Sequence, residues 1–241
     1  MKKSESPCRI LAILAWTSAL ACASVKAESP IALPFENADS QGVPPGWKRI
    51  INEGEATSKV VALDGRTSLT VDTRKGHARF EHDVSIASPE HLTLSWDWRV
   101  HHMPETPQYG PWNEKGRVGE YQTNSPVQML IIFRQGFKVY VIHYLWEPTV
   151  EVGYFWPQEE TAGPLGIVKL HYQRLVVRSG PAEMDEWHSE ARDVVADFKK
   201  LFRGVKKIPD VIRIAIQCNS TFADGEGGVS SASVANIVVT P

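Results

Sequence analysis

Asp97 and Arg99 stand two residues apart in Leu94-Ser-Trp-Asp-Trp-Arg-Val100, where apolar and polar residues alternate. On an extended strand that period sets Ser95, Asp97 and Arg99 on one face and the apolar residues on the other. His143 is the third ionisable candidate. A two-residue hairpin turn at Gln135-Gly136 places it opposite Gln128. A carboxylate, a guanidinium and an imidazole beside a sugar ring are what a polysaccharide lyase or glycoside hydrolase needs, a charge neutraliser and a proton-transfer group. The plainer reading carries more weight. An Asp/Arg pair two apart on a strand is usually a surface ion pair, and His143 lies among Val139, Val141 and Leu145, where a hydrogen-bonded, half-buried histidine fits better than a base.

Aromatic residues form the second constellation. Two long connections, 101–126 and 147–166, are rich in Pro, Gly and aromatics, and connections of that length tend to be functional or disordered. Tyr109 and Trp112 lie in the first; Trp146, Tyr154 and Trp156 surround the start of the second. Exposed, they offer flat apolar faces for a sugar ring at low entropic cost. Buried, they plug the ends of the fold, and position alone does not choose. Trp96 and Trp98 sit on the apolar face of their strand and read as core.

Other chemistries are poorly supported. His101 and His102 are adjacent and point to opposite faces at a strand end, so they read as surface histidines rather than metal ligands. The stretch Asp224-Gly-Glu-Gly-Gly228 lacks the alternating oxygen ligands of a calcium loop. No nucleophile motif and no phosphate-cradling glycine loop occurs. No metal and no cofactor is expected.

The elements that would position these residues are strands. Short β-branched and aromatic runs recur between Gly/Pro/Asn/Asp clusters near 30–35, 47–51, 57–63, 67–72, 76–84, 91–100, 127–134, 137–146, 168–178, 211–218 and 232–240. That rhythm predicts an all-β fold, a two-sheet antiparallel sandwich of jelly-roll, lectin or carbohydrate-binding-module type. One helix is expected near 189–203, capped by Ser189 and ended by Gly204, with Val194, Val195, Phe198, Leu201 and Phe202 as its apolar stripe. Within it Arg192 and Asp197, five apart, are expected to face different neighbours.

The first 27 residues read as a signal peptide. A basic start at Lys2, Lys3 and Arg9 precedes the apolar run Ile10 to Leu20, and Val25-Lys-Ala27 offers a cleavage site. Residues 28–241 then form a single β-sandwich domain, periplasmic or secreted. The alternative is a lipoprotein held at the membrane through Cys22. Removing the leader takes the net charge from −2 to about −5 and leaves no basic block, so nucleic acid is not an expected partner. Cys218 alone of three cysteines remains, which excludes an internal disulfide.

Several segments in order resemble one family. They are Leu94–Val100, Tyr144-Leu-Trp146, Val176-Val-Arg-Ser-Gly180, Trp187-x-x-Glu190-x-Arg192-Asp-Val194, Asp197-Phe198 and Ala235-Asn-Ile-Val-Val239. Their order is similar to that of the bacterial exported proteins of domain-of-unknown-function family 3047. The resemblance implies an exported domain and no agreed activity. This chain departs from the pattern: it has Gln217-Cys-Asn-Ser-Thr221 where the family tends to carry two aspartates, and it lacks an acidic pair ahead of the Val127 strand. No carboxylate role is therefore carried over. The expected function is non-catalytic binding of a polysaccharide, cell-envelope glycan or similar polar ligand. The alternatives are a polysaccharide-cleaving enzyme (lyase or glycoside hydrolase) and a structural envelope protein.

Overall fold

The computed structural model describes residues 29–105, 124–162, 167–221 and 228–241. Its strands are β1 (Ile31–Leu33), β2 (Trp47–Leu63), β3 (Arg66–Ile86), β4 (Thr93–His102), β5 (Val127–Gln135), β6 (Lys138–Glu147), β7 (Glu159–Ala162), β8 (Lys169–Ser179), β9 (His188–Asp193), β10 (Asp210–Asn219) and β11 (Val229–Thr240). The single helix among the described residues is α1 (Val194–Leu201).

The hydrogen-bonded order is β7-β8-β6-β5-β10-β3-β11-β4-β9, with β2 beside β3 and β1 beside β11. The 21-residue β3 belongs to both halves of this ladder. Its end from His77 to Ile86 pairs with β10, and its start from Ser68 to Arg74 pairs with β11. The ladder then folds back on itself. Trp96 of β4 stacks on Tyr144 of β6 at 5.6 Å, and Trp98 of β4 lies 5.8 Å from Trp146 of β6. Strands so far apart in the ladder touch only if two layers face each other, as in a sandwich. One core fills the gap, drawing on Leu94, Trp96, Trp98, Ile142, Tyr144, Trp146, Ile214 and Val234. The fold is the expected all-β jelly-roll-like sandwich.

The long hairpin β2–β3 supplies the bend. Gly54 and Gly76 mark breaks in sequence between 47–51 and 57–63 and between 67–72 and 76–84, yet both strands run through them. Gly54 adopts φ +64°, and a Cβ there would lie 1.9 Å from the Lys75 carbonyl oxygen; one on Gly76 would lie 2.4 Å from that of Glu55. Two backbones approach where side chains cannot fit, and the register shifts between Ile51 and Glu55. Gly54→Ala is expected to destabilise the fold by about 1–3 kcal/mol, read as a lower urea midpoint. An unchanged midpoint would show that the bend tolerates a Cβ.

Three expectations need correction. The helix starts at Val194, not near Ser189, and its N-cap is Asp193, whose side chain accepts from the Ala196 amide at 2.9 Å. Ser189 belongs to β9, which pairs with β4 and presents its hydroxyl to Asp97. Arg192, also on β9, does not face away from Asp197: its Nε and Nη2 donate to both carboxylate oxygens, at 3.0 and 2.8 Å. The β5–β6 turn is Gly136-Phe137, because Gln135 pairs with Lys138. This pairs His143 with Leu130 and Gln128 with Leu145, two residues from the expected register.

The length of the second connection also has a structural cause. β8 runs parallel to β6, whereas every other described pair in the ladder is antiparallel. A parallel neighbour requires the chain to cross back before it starts. On that return Phe155 bridges Leu175, and β7 pairs with the start of β8.

Candidate functional site

Strand alternation sorts the candidate residues onto three surfaces. Trp146 faces the core, fully buried, with its indole N–H donating to the Gly180 carbonyl at 3.0 Å. It touches Trp98, and His188 meets it edge-on at 5.3 Å. The exposed reading of Trp146 is thus corrected: β6 carries it inward with Tyr140, Ile142 and Tyr144.

Asp97 and Arg99 lie on the outside of the layer containing β4. Asp97 is almost buried and accepts from Arg66 at 2.9 Å, Asn236 at 2.7 Å and the Ser189 hydroxyl. Burial alone would raise its pKa; the hydrogen bonds from Ser189, Arg66 and Asn236 outweigh it and hold the carboxyl below its ordinary range. Arg99 pairs with Asp64 at 2.6 Å and approaches Asp185 at 3.8 Å. Both residues are engaged in tying strands together. His143 is on the outside of the opposite layer, so the sandwich core separates it from this pair, and the three do not form one site.

Near Arg99, His101 bonds Ser233 at 2.8 Å through Nε2 and Asp185 at 3.1 Å through Nδ1, the order of a nucleophilic triad. The Ser233 hydroxyl is fully buried and shared with Thr70 at 2.7 Å. With its hydroxyl already engaged by Thr70 as well as His101, Ser233 reads as one link in a structural chain. Among the described residues no group of three or more His, Cys, Asp or Glu could hold a metal ion.

The outer face of the layer β8-β6-β5-β10-β3 is different. Core-facing Met129, Ile142, Ile216 and Phe80 leave Gln128, His143, Gln217 and Arg79 on the other side of their strands. These four join across the sheet. Arg79 Nε donates to Gln217 Oε1 at 3.2 Å, Gln217 Nε2 donates to Gln128 Oε1 at 3.4 Å, and His143 Nδ1 lies 2.9 Å from that same oxygen. His143 is 5% and Gln128 1% exposed. The His143 Nε2 has no partner among the described residues. Burial, then the positive charges of Arg174 and Arg79 and the nearby His77, lower its pKa well below 6.5, so the ring is neutral near pH 7. Beside it runs an apolar strip of Leu130, Ile132, Val141 and Ala215, with Tyr172 at its edge.

The return segment brings aromatics to this face. Phe155 pairs with Leu175, whose side chain enters the core, so Tyr154 and Trp156 alternate to the outer side with Arg174. Backbone bonds from Trp156 to Arg174 and from Val176 to Tyr154 fix this register. Trp156 is buried and backs Tyr154 edge-on at 4.9 Å, leaving the half-buried Tyr154 as the available ring. Tyr154 and Phe155 line an open recess of about 470 Å³ with Glu151, Val152 and Gly153. Tyr109, Trp112 and Cys22, like the leader, lie outside the described residues.

Sequence reasoning found His143, Gln128, Tyr154 and Trp156 but not their shared face. It missed Arg79, whose only signal was its place between Ala78 and Phe80. Gln217 was visible only as a departure from an acidic pattern.

No curated protein matches the chain. Solved structures with similar strand arrangements include the xyloglucanase domain of NopAA from Sinorhizobium fredii, 13% identical over 80% of this chain and 92% of that one, with a TM-score of 0.44. The family 11 carbohydrate-binding module of Lic26A-Cel5E from Clostridium thermocellum is 10% identical, covers 89% and 95%, and gives 0.42. A family 12 xyloglucanase from Bacillus licheniformis is 8% identical, covers 88% and 99%, and gives 0.43. At those values no residue of this chain is matched to a residue of theirs. Sequence gives the firmer relation: residues 126–238, which hold β5 to β11 but for its last residues, match the model of the family described as protein of unknown function DUF3047.

Proposed function

We propose that the outer face of the β8-β6-β5-β10-β3 layer binds a glycan without hydrolysing it, in a domain working outside the cytoplasm. One observation carries the reading. A single sheet face combines half-buried tyrosines, Tyr154 and Tyr172, with a hydrogen-bonded amide and imidazole network over an apolar strip. Sugars present the same mixture, apolar ring faces edged with hydroxyls, and aromatic rings bind the former while amides bind the latter. Export rests on the basic and apolar leader.

The carboxylates speak against hydrolysis. Glu81 is held by Arg79 at 3.3 Å and Arg213 at 2.7 Å. Asp83, two residues further along the same outward face of β3, is held by Arg213 at 2.8 Å and Lys48 at 2.9 Å. Hydrogen bonds from Lys48 and Arg213 hold the Asp83 carboxyl below its ordinary range, the opposite of what a glycosidase's general acid needs.

Tyr154→Ala should weaken oligosaccharide binding about two- to tenfold while the melting temperature changes little, because its ring lies at the sheet edge. Isothermal titration against neutral and acidic oligosaccharides reads this. A folded Tyr154→Ala variant that binds as wild type does would remove Tyr154 from the site.

A further inference from the structure

The hydrogen-bond network fixes more than a location. A guanidinium only donates, so the Gln217 atom facing Arg79 is its oxygen and its amide nitrogen faces Gln128. The Gln128 atom between Gln217 and His143 must then be oxygen. His143 Nδ1, 2.9 Å from that oxygen, must carry the proton. A neutral imidazole has one N–H, which leaves Nε2 with a lone pair. That lone pair is buried and has no partner among the described residues. A buried acceptor left unpaired costs stability, and such atoms in native proteins commonly mark a ligand or water position.

The surroundings select the donor. Leu130 lies opposite His143 on β5, and the Tyr172 ring stands 6.0 Å away on β8. Arg174 on β8 and Arg79 on β3 add positive charge, His77 on β3 has its pKa lowered by burial and is neutral near pH 7, and Glu147 lies further along β6. These cations disfavour an ammonium. The lone pair itself disfavours a carboxylate or carbonyl oxygen. A neutral hydroxyl satisfies both conditions.

We propose that Nε2 of His143 accepts a hydrogen bond from a ligand hydroxyl, with Gln128 and Gln217 holding the imidazole in the tautomer this requires. The proposal rests on the reading of this face as a glycan site and deepens it, making His143 a specificity-determining residue for neutral sugar hydroxyls. Because burial and neighbouring cations keep the ring neutral, the acceptor persists from pH 8 to below pH 6.5.

Nitrogen-15 NMR of the full chain labelled at histidine tests this, with neutral gluco- and xylo-oligosaccharides as probes. In the free protein His143 should show a protonated Nδ1 and an unprotonated Nε2 between pH 8 and 6. Saturating sugar should shift the Nε2 resonance as it accepts a hydrogen bond. His143→Leu should weaken binding roughly three- to tenfold, and His143→Gln, which keeps an acceptor, should recover part of that. An Nε2-protonated ring, or sugar binding that leaves His143 unshifted because water alone fills the position, would overturn the assignment while sparing the glycan reading. So would wild-type affinity in a folded His143→Leu variant. If the wild type binds none of the neutral or acidic oligosaccharides, the glycan reading itself falls and this assignment with it, whatever the tautomer.

Discussion

Trp146→Ala should destabilise the protein by about 3–5 kcal/mol, enough to lower the melting temperature by on the order of 10 °C. The indole fills the space between the layers against Trp98, lies under the Arg178 guanidinium at 5.8 Å, and donates to Gly180. An alanine would leave a cavity that two hydrogen-bonded sheets cannot collapse to fill. Trp146→Phe should retain part of the stability and lose the hydrogen bond. Urea unfolding by fluorescence and circular dichroism measures both. An alanine variant as stable as wild type would put the indole outside the core and reopen its role as a stacking surface.

Asp197→Ala should be nearly as damaging, at about 3 kcal/mol. The buried carboxylate receives two bonds from Arg192 and one from the Tyr144 hydroxyl at 3.0 Å. Burial, and then the Asp197 charge, push the Tyr144 pKa well above 10, so this hydroxyl stays a donor at every pH at which the protein is handled. Removing the acceptor strands a fully buried hydroxyl and a half-buried guanidinium together. Asp197→Asn, which keeps one oxygen, should cost clearly less. Because Arg192 ends β9 and Asp197 belongs to α1, the pair pins the helix to the sheet. Denaturation of the two variants checks the ranking; equal, wild-type-like midpoints would make the contact ornamental.

Much of the sandwich is legible in the residues because half-buried strands alternate. Leu94 to Val100 does so cleanly, and its apolar face meets the core as expected. β7 and β9 were missed for the opposite reason: Glu-Glu-Thr-Ala and His-Ser-Glu-Ala-Arg-Asp are polar edge strands with little to bury. Trp146 could not be sorted because β6 is buried on both sides, and Tyr140 to Trp146 is apolar on both faces apart from His143, without a period of two. The site divides in the same way. His143 and Gln128 were linked by a local turn, and a register error of two residues, which preserves the alternation, still left them on one face. Tyr154 and Trp156 reached that face only through the pairing of Phe155 with Leu175, a contact set by the parallel crossover. Asp97 and His143 look alike as isolated candidates, yet β4 and β6 turn them out of opposite sides of the molecule. Nothing local carries that information.

The claim that this sheet face is a glycan site is tested most directly by mapping backbone amide shifts during titration with neutral and acidic oligosaccharides. The account predicts shifts concentrated on β5, β6, β8 and residues 153–157, with those around Asp97, Arg99 and His101 unmoved. Shifts confined to the Asp97 side, or none with any oligosaccharide, would contradict it.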